Sequence, residues 1–255
     1  MKSFGLTDKG KVRKDNQDCF IIESCPARSC LIAALCDGMG GENAGEIASA
    51  VANKAFVSYI YNRLTSRTIK NVNYKEALTN ACAEANGVAY EYSLFDKAYS
   101  GMGTTLVGGV IKSGGNGYII NVGDSRAYHI SKRANSIYQI TRDHSLVEEL
   151  VEAGAITKEQ ARLHPQKNVI TRALGSEAEV RPDYFEFTLQ PGDILLLCSD
   201  GLSNMVTDEE IFELICREDG EDKAKRLIDK ANANGGRDNI AVIVVEPFTN
   251  EVKEC

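Results

Sequence analysis

The chain has 255 residues, of which 43% are hydrophobic and 25% are charged, a composition typical of a globular protein with a core of ordinary size. Its net charge of −7 disfavours a nucleic-acid partner, because affinity for a phosphate backbone requires a basic surface. No segment approaches the roughly 20 apolar residues that span a bilayer, and the N-terminal sequence MKSFGLTDKG contains no apolar signal segment. We therefore expect a cytoplasmic protein that does not insert into membranes.

The cysteines and histidines limit the disulfide and metal chemistry of the chain. The 8 cysteines form no C-x-x-C pair, and several lie inside apolar runs. This pattern favours free or buried thiols in a reducing compartment over a disulfide framework or a zinc site. A histidine-built metal site or a Ser-His-Asp triad would have to use one of the 3 histidines, His129, His144 and His164.

In chain order, β-branched and apolar segments predict strands at residues 18–23, 31–36, 105–112, 117–122, 126–130, 137–141, 183–188, 193–198 and 239–246. Many of these segments are separated by short turns, such as residues 112–117 and 190–193. Short connections between neighbouring strands imply antiparallel pairing.

Longer segments with helical periodicity separate groups of strands. Residues 44–64 and 74–94 repeat apolar side chains at helical spacing before the main run of strands, and residues 208–218 and 221–233 do so near the end of the chain. Asp208 is the predicted N-cap of the third of these helices.

The order of the elements favours two packed antiparallel sheets. A strict βαβ alternation is absent, so a doubly wound parallel sheet is disfavoured. Two antiparallel sheets with paired helices on their outer faces fit the order better. No internal repeat or linker divides the chain, so one domain is the simplest interpretation. Residues 142–176, which are polar and contain short helical stretches, are predicted to be an insertion lying over a site.

Five aspartates stand where an apolar strand ends or begins: Asp18, Asp37, Asp124, Asp200 and Asp238. For any one of them, capping a turn is the ordinary role. All five together favour a metal site, because clustered carboxylates are costly to bury without a counter-ion and oxygen ligands suit Mg²⁺ or Mn²⁺. Two such ions about 3.5–4 Å apart activate a water for attack on a phosphoryl group.

Arg13 lies in the charged segment KGKVRKDNQD, shortly before Asp18. Taken alone, it is an ordinary exposed cation. Beside a carboxylate–metal site, its forked guanidinium is suited to bind two oxygens of a substrate phosphate at once.

Seven short motifs occur in the order seen in one protein family: RKDNQD at 13–18, DGMGG at 37–41, GMGTTL at 101–106, NVGDSRAY at 121–128, TRDHS at 141–145, LLCSDGL at 196–202 and GGRDNIAVIVV at 235–245. Each motif is weak alone, but seven in order are specific, and they extend over nearly the whole chain. The chain resembles a bacterial metal-dependent protein serine/threonine phosphatase of the PPM, or type 2C, family.

The resemblance implies an α+β fold. This fold is a four-layer α-β-β-α sandwich, in which two antiparallel sheets are flanked by antiparallel helix pairs, with a binuclear metal site at one end of the sandwich. It implies a single phosphatase domain over residues 1–255, with a flap segment at about 145–170 beside the site.

The resemblance also assigns the metal ligands by their positions in the motifs. Asp37 would bridge two ions, Mn²⁺ or Mg²⁺, and Gly38 would add its backbone carbonyl. Asp200 and Asp238 would hold the first ion, and Asp18 would serve the second, directly or through water.

Three further residues take implied roles from the same motifs. Asp124, together with Asp200, matches a third, weaker metal position of bacterial members. Arg13 would hold the substrate phosphate. Asn239 either orients Asp238 or serves packing or turn formation.

The implied reaction is in-line attack of a metal-bridging hydroxide on phosphorus without a phosphoenzyme, with Arg13 and the ions stabilising the developing charge. Many eukaryotic members carry a histidine after the Asp-Gly pair as general acid, but this chain has Met39, which has no proton to donate. A metal-bound water, bulk solvent, or His144 if it folds near the site, would then protonate the leaving alkoxide. A structural hydrogen bond is the alternative role for His144.

Two other interpretations of the motifs require residues or losses that the sequence does not show. A catalytically weak pseudophosphatase, which only binds phosphoproteins, predicts losses among the acids, and none is evident. A haloacid-dehalogenase-like phosphatase requires a second aspartate two residues after its nucleophile, which the segment CDGMG lacks. The resemblance implies phosphorylated proteins as substrates and a serine/threonine kinase as the opposing partner, and one dedicated phosphoprotein substrate is an open alternative. We expect a monomer.

Overall fold

The computed structural model describes residues 1–41, 44–95, 97–217 and 222–248, which form strands arranged in two sheets and several helices. The strands are β1 (Lys2–Asp8), β2 (Asp18–Cys25), β3 (Cys30–Met39), β4 (Gly103–Thr104), β5 (Leu106–Lys112), β6 (Asn116–Val122), β7 (Arg126–Ser131), β8 (Ser136–Gln139), β9 (Asp183–Thr188), β10 (Asp193–Cys198) and β11 (Ile240–Glu246). The α-helices are α1 (Ala44–Thr65), α2 (Tyr74–Phe95), α3 (Leu146–Glu152), α4 (Lys158–Leu163), α5 (Asp200–Ser203), α6 (Asp208–Arg217) and α7 (Asp222–Ala233).

Both sheets are antiparallel. The first sheet has the strand order β1-β11-β10-β7-β8, and the second has the order β2-β3-β5-β6-β9, with the short β4 paired to β3. The neighbouring strands of each order run antiparallel to one another. This topology confirms the predicted pair of antiparallel sheets.

Helices cover the outer faces of the two packed sheets, so the predicted four-layer α-β-β-α sandwich is confirmed. The core between the sheets includes Leu35 of β3 and Ile243 of β11. α1 and α2 cover the second sheet with side chains such as Phe56 and Leu78. α5, α6 and α7 cover the first sheet, where Leu227 is fully buried. Because both faces of each sheet are covered, the central strands are apolar at nearly every position.

β1 was not among the predicted strands, because its sequence is too polar to indicate one. Phe4 and Leu6 are its only large apolar residues. It is an edge strand that pairs antiparallel with β11, which comes from the far end of the chain. A Cβ on Gly5 would lie 2.2 Å from Cε2 of Phe20, so this position of the strand has to be glycine for the ring to pack there. Tertiary pairing, rather than local propensity, therefore makes β1 a strand.

The predicted N-cap at Asp208 is wrong, because Thr207 caps α6. The Thr207 hydroxyl accepts a hydrogen bond from the Glu210 N–H at 3.3 Å, and the Glu210 carboxylate accepts one from the Thr207 N–H at 3.1 Å. This reciprocal pair is a capping box. The Asp208 carboxylate instead accepts a hydrogen bond from the Tyr128 hydroxyl at 3.1 Å.

The predicted helices 208–218 and 221–233 are confirmed as α6 and α7, although their residues 218 and 221 lie outside the described part of the chain. The cysteines that the structure describes are free thiols, most of them buried, and Cys255 lies outside the described residues. No helix within the described ranges is both long and apolar enough to cross a membrane.

Residues 145–170 form a compact excursion from the sandwich. Ser145 and Ile170 pair as an isolated antiparallel bridge, so the two ends of the segment lie side by side. The Ser145 side chain caps α3 by accepting from the Glu148 N–H, and a capping box at Thr157 begins α4. The segment predicted as a flap thus has its own two capped helices.

Candidate active site

The strand pair β2–β3 brings two of the predicted carboxylates together. Asp18 begins β2 and lies directly opposite Asp37, near the end of β3. Side chains at such positions have Cβ atoms about 4.5–5.5 Å apart, and two like charges there destabilise the pair. At this point the two acids therefore either keep a proton or need a cation that compensates their charge.

The backbone of Asp37 is fixed by two threonines of the GMGTTL motif. The Asp37 carbonyl accepts hydrogen bonds from the Thr104 hydroxyl and the Thr105 N–H, each at 2.9 Å. The Asp37 N–H donates to the Thr105 hydroxyl at 2.9 Å, and that hydroxyl lies 2.7 Å from Oγ of Ser125. The sequence analysis did not single out these hydroxyl groups, although the quoted motifs contain them.

Gly38 allows α1 to approach the end of β3. A Cβ on Gly38 would lie 2.0 Å from the Gly45 carbonyl oxygen. A Cβ on Gly45 would lie 2.7 Å from Cδ of Gln17 and 2.9 Å from the Gly38 carbonyl carbon. Both positions therefore exclude any side chain, and bare backbone lies beside Asp37.

Asp18 is tied to the other sheet through Ser199. The Ser199 hydroxyl donates to Oδ2 of Asp18 at 2.7 Å and accepts from the Ala241 N–H at 2.9 Å. Asp18 is 7% exposed, and its Oδ1 is buried without a hydrogen-bond partner among the described residues. A buried carboxylate oxygen without a partner is costly, and a cation would remove that cost.

Asp200 and Asp238 come from loops of the first sheet. Asp200 begins α5 directly after β10 and accepts a hydrogen bond from the Asn204 amide at 2.9 Å. Asp238 precedes β11, and its Oδ1 accepts from the Asn239 N–H at 2.9 Å. A Cβ on Gly201 would lie 1.9 Å from the Asn239 carbonyl oxygen, so the two loops can meet only at a glycine.

Arg13 lies against the carboxylate cluster, where the sequence analysis expected it. Its Nη2 is 2.8 Å from Oδ2 of Asp238, and its side chain is 54% exposed. The hydrogen bond with Asp238, opposed by burial and reinforced by the charges of Asp200 and Asp37, raises the pKa of Arg13. The guanidinium thus contacts the acids on one side and solvent on the other.

Asn239 holds the loop that carries Arg13. Its Oδ1 accepts from the Gln17 N–H at 2.9 Å, and its Nδ2 donates to the carbonyls of Lys9 at 2.9 Å and Asp15 at 2.8 Å. The residue is 5% exposed. The sequence left two roles open for Asn239, orienting Asp238 or packing and turn formation. The hydrogen bonds of its side chain stabilise this loop, which favours the second role.

His144 supports the turn that precedes Asp124. The Gly123 N–H donates to Nδ1 of His144 at 3.1 Å, and the His144 N–H donates to the Gly123 carbonyl at 2.9 Å. Nε2 of His144 lies 3.2 Å from Oδ2 of Asp183, and burial lowers the pKa of the ring although Asp183 opposes the shift. Both ring nitrogens are engaged within the fold, which favours the structural role of His144 over that of general acid.

Met39 also has a packing role. It pairs with Gly103 of β4, and a Cβ on Gly103 would lie 2.6 Å from Cε of Met39. The methionine therefore lies over a glycine and offers no proton to the site.

The five predicted carboxylates share one electrostatic environment. Burial, followed by the charges of Asp18, Asp200, Asp124 and Asp238, raises the pKa of Asp37 well above its usual range. Burial also raises the pKa of Asp18 to about 7 and that of Asp200 to about 6, and the charge of Asp238 adds to both. Asp37 interacts electrostatically with both Asp18 and Asp200, and it lies opposite Asp18 in the β2–β3 pair.

This donor set suits hard divalent cations. All its donors are oxygens, and burial and neighbouring charges raise the pKa of Asp18, Asp37, Asp124 and Asp200. Oδ1 of Asp18 has no hydrogen-bond partner among the described residues, and these properties favour bound Mg²⁺ or Mn²⁺. Among the described residues, no three His, Cys, Asp or Glu side chains are arranged as a ready-made metal site. The mutual repulsion of the buried carboxylates, rather than a preformed coordination geometry, therefore favours a bound cation.

Sequence comparison identifies relatives over nearly the whole chain. The profile of the family described as protein phosphatase 2C matches residues 9–230. The serine/threonine phosphatase Stp of Listeria monocytogenes is 39% identical over 242 residues, which are 94% of this chain and 93% of that protein.

Solved structures of similar proteins share the fold. The serine/threonine phosphatase Stp1 from Staphylococcus aureus superposes with a TM-score of 0.87 at 38% identity, covering 95% of this chain and 93% of that one. The catalytic domain of the serine/threonine phosphatase PstP, in complex with 2 manganese ions, gives a TM-score of 0.79 at 33% identity, covering 95% and 96% of the two chains.

Proposed function

Since this chain belongs to the protein phosphatase 2C (PPM) family and is a protein serine/threonine phosphatase, we propose that its carboxylate cluster is the metal-dependent catalytic centre. One observation carries this proposal. Five carboxylates from both sheets form a single electrostatic cluster beside one guanidinium: Asp18, Asp37, Asp124, Asp200, Asp238 and Arg13. The relatives are named as phosphatases, and none of them supports the alternative of a pseudophosphatase.

The position of each carboxylate suggests its role toward the ions. Asp37 lies opposite Asp18 and interacts electrostatically with both Asp18 and Asp200, so it would be the ligand shared by two Mn²⁺ or Mg²⁺ ions. Asp200 and Asp238 would hold the first ion, Asp18 would serve the second through its Oδ1, and the bare backbone at Gly38 would offer a carbonyl.

Asp124 and Asp200 are proposed to hold a third, weaker ion. Burial and then the charge of Asp200 raise the pKa of Asp124, which supports this pairing. When bound, the ions supply charge stabilisation to the phosphoryl oxygens and lower the pKa of the attacking water.

Arg13 binds the substrate phosphate in this proposal. Asp238 now holds the guanidinium in an ion pair at 2.8 Å. The guanidinium is partly exposed beside the cluster, so it would be available to bind two oxygens of an incoming phosphate. Met39 has no proton and the ring of His144 is engaged elsewhere, so water protonates the leaving alkoxide.

The enzyme acts on phosphorylated proteins, and we propose that it opposes a serine/threonine kinase in the cytoplasm as a monomer. The segment 145–170 is proposed to act as a flap that contacts the substrate. The assignment of residues 1–255 to a single domain stays a prediction.

Hydrolysis of phosphoserine, phosphothreonine and phosphotyrosine peptides, with and without Mn²⁺, tests the proposed centre. We expect Mn²⁺-dependent release of phosphate from the first two peptides and its loss in EDTA. Asp37→Asn and Asp200→Asn should abolish turnover while leaving the protein folded, since each change removes a repelling charge. Asp229→Asn, at an exposed position on α7, is the matched control and should keep full activity. Activity that survives EDTA, or persists in either cluster variant, would refute the metal centre.

A further inference from the structure

A cavity of about 330 Å³ opens directly beside the carboxylate cluster. Asp124 and Asp200 line it, together with residues of α3 and α4 from the segment 145–170. The cavity is at the small end of the range for ligand pockets, about 300–1,000 Å³, and holds a few side chains. A polypeptide whose phosphorylated residue lies at the cluster would therefore place neighbouring side chains here.

Two of the cations that line the cavity are already compensated. Arg126 forms a forked pair with Asp143, with Nη2–Oδ2 at 2.6 Å and Nε at 3.0 Å from both carboxylate oxygens. Arg142 is paired with Glu152. These pairs fix the walls of the cavity and leave little charge for a ligand.

Three other cations of the lining have no such partner. Lys158, Arg162 and Lys167 lie on α4 or shortly after it, and none of their side chains forms an ion pair with a described residue. Lys158 and Arg162 are exposed and Lys167 is half-buried. Arg162 has only a longer-range interaction with Glu209 and Glu210 at the start of α6.

The acids of the lining do not cancel these three charges. Asp124 and Asp200 belong to the proposed ion-binding cluster, and Asp208 accepts a hydrogen bond from the Tyr128 hydroxyl. Glu148 of α3 also lines the cavity. Once ions compensate Asp124 and Asp200, the three cations outnumber the two remaining acids of the lining, Glu148 and Asp208, so the cavity carries a net positive charge.

We propose that this cavity is a substrate subsite for an anionic side chain close in sequence to the phosphorylated serine or threonine. It makes the enzyme prefer acidic phosphoprotein segments, and Lys158, Arg162 and Lys167 determine this preference. The inference rests on the proposed function, because it needs the phosphoryl group at the carboxylate cluster. The anion is either the carboxylate of Glu or Asp or a second phosphorylated residue, since both suit lysine and arginine.

Three phosphothreonine peptides of equal length test the subsite with Mn²⁺-loaded enzyme. The first has glutamates on both sides of the phosphothreonine, the second has glutamines there, and the third has a second phosphothreonine nearby. We expect kcat/KM to be about 5-fold higher for the first or third peptide than for the second, since partly exposed ion pairs contribute modestly. The preference should shrink as salt is raised, because exposed charges are screened.

The double variant Lys158→Gln/Arg162→Gln should lose most of this preference. Lys54→Gln/Lys225→Gln changes the net charge equally at exposed positions on α1 and α7, and it should keep the preference. Equal kcat/KM for all three peptides in the wild type, or an unchanged preference in the cavity variant, would overturn the subsite. Failure of the proposed function is distinct, because wild-type enzyme would then not hydrolyse p-nitrophenyl phosphate in Mn²⁺.

Discussion

Replacing Asn239 with alanine should release the loop that carries Arg13 while leaving the sandwich folded. The substitution removes three hydrogen bonds of 2.8–2.9 Å, to the Gln17 N–H and to the carbonyls of Lys9 and Asp15. Each such bond contributes about 1 kcal/mol net. Lys9 and Asp15 are exposed, so their freed carbonyls take up water and the expected loss of unfolding free energy is about 2 kcal/mol. For a chain of this size that lowers Tm by roughly 4–8 °C.

The functional consequence of Asn239→Ala is a higher KM with a smaller change in kcat. A released loop no longer presents the Arg13 guanidinium beside Asp238, and a loss of about 1.4 kcal/mol in phosphate binding raises KM roughly tenfold. The loop also contains Lys9, Lys11 and Lys14, so limited trypsin digestion reports its release independently of activity.

Two further variants separate hydrogen bonding from packing. Asn239→Asp keeps the side-chain volume and the acceptor for the Gln17 N–H, but it places a carboxylate oxygen against the carbonyls of Lys9 and Asp15. It should therefore release the loop as alanine does. Asn234→Ala removes one bond of 2.7 Å to the Met205 carbonyl from the same connection between α7 and β11, and it should leave trypsin cleavage unchanged. Wild-type KM and wild-type proteolysis in Asn239→Ala would refute the reasoning.

Three other changes act on the same cluster. Arg13→Ala should mainly raise KM, measured with a phosphopeptide, because it removes a phosphate contact, and an unchanged KM would exclude Arg13 from the site. Ser199→Ala should weaken Mn²⁺ binding in calorimetry and lower metal-free stability by about 2–3 kcal/mol, because Asp18 and a backbone N–H each lose a buried partner. In EDTA, the raised pKa of Asp18, about 7, means that the folded state retains a proton that the unfolded state releases near its ordinary value of 3.8. The metal-free free energy of unfolding should therefore fall as pH rises through this interval. In urea unfolding, the stability of Asp18→Asn relative to the wild type should increase with pH until about pH 7. If the two stabilities changed in parallel with pH, the carboxyl of Asp18 would not be buried and repelled as described.

The sandwich was predictable because its central strands are apolar and its connections are short. Strand ends also fix where a side chain lies, so aspartates at several strand ends indicated a cluster before any contact was known. β1 was not predictable in the same way, because Phe4 and Leu6 alone do not form a strand pattern and its partner is β11. Local sequence likewise offered two adjacent capping residues, Thr207 and Asp208, and only the hydrogen bonds distinguish them.

The supporting residues of the site could not be predicted, because each acts through a partner distant in sequence. Ser199 was visible as part of LLCSDGL, but its bond to Asp18 depends on how the two sheets pack. Asn239 was visible as part of GGRDN, but its bonds reach Gln17 and the preceding loop. A motif shows that a residue type is needed at a position, and only the tertiary contact shows which neighbour needs it.

The location of the cluster links ion binding to the stability of the sandwich. Asp18 and Asp37 come from the second sheet, whereas Asp200 and Asp238 come from the first, and the bond from Ser199 to Asp18 crosses between them. Without a cation, the sheets meet where buried carboxylates repel one another, which opposes folding. A cation that binds only the folded cluster stabilises the whole sandwich by RT ln(1 + [L]/Kd), about 2.7 kcal/mol at one hundred times Kd. The acids proposed for catalysis are thus the same groups through which a bound metal would stabilise the junction of the two sheets.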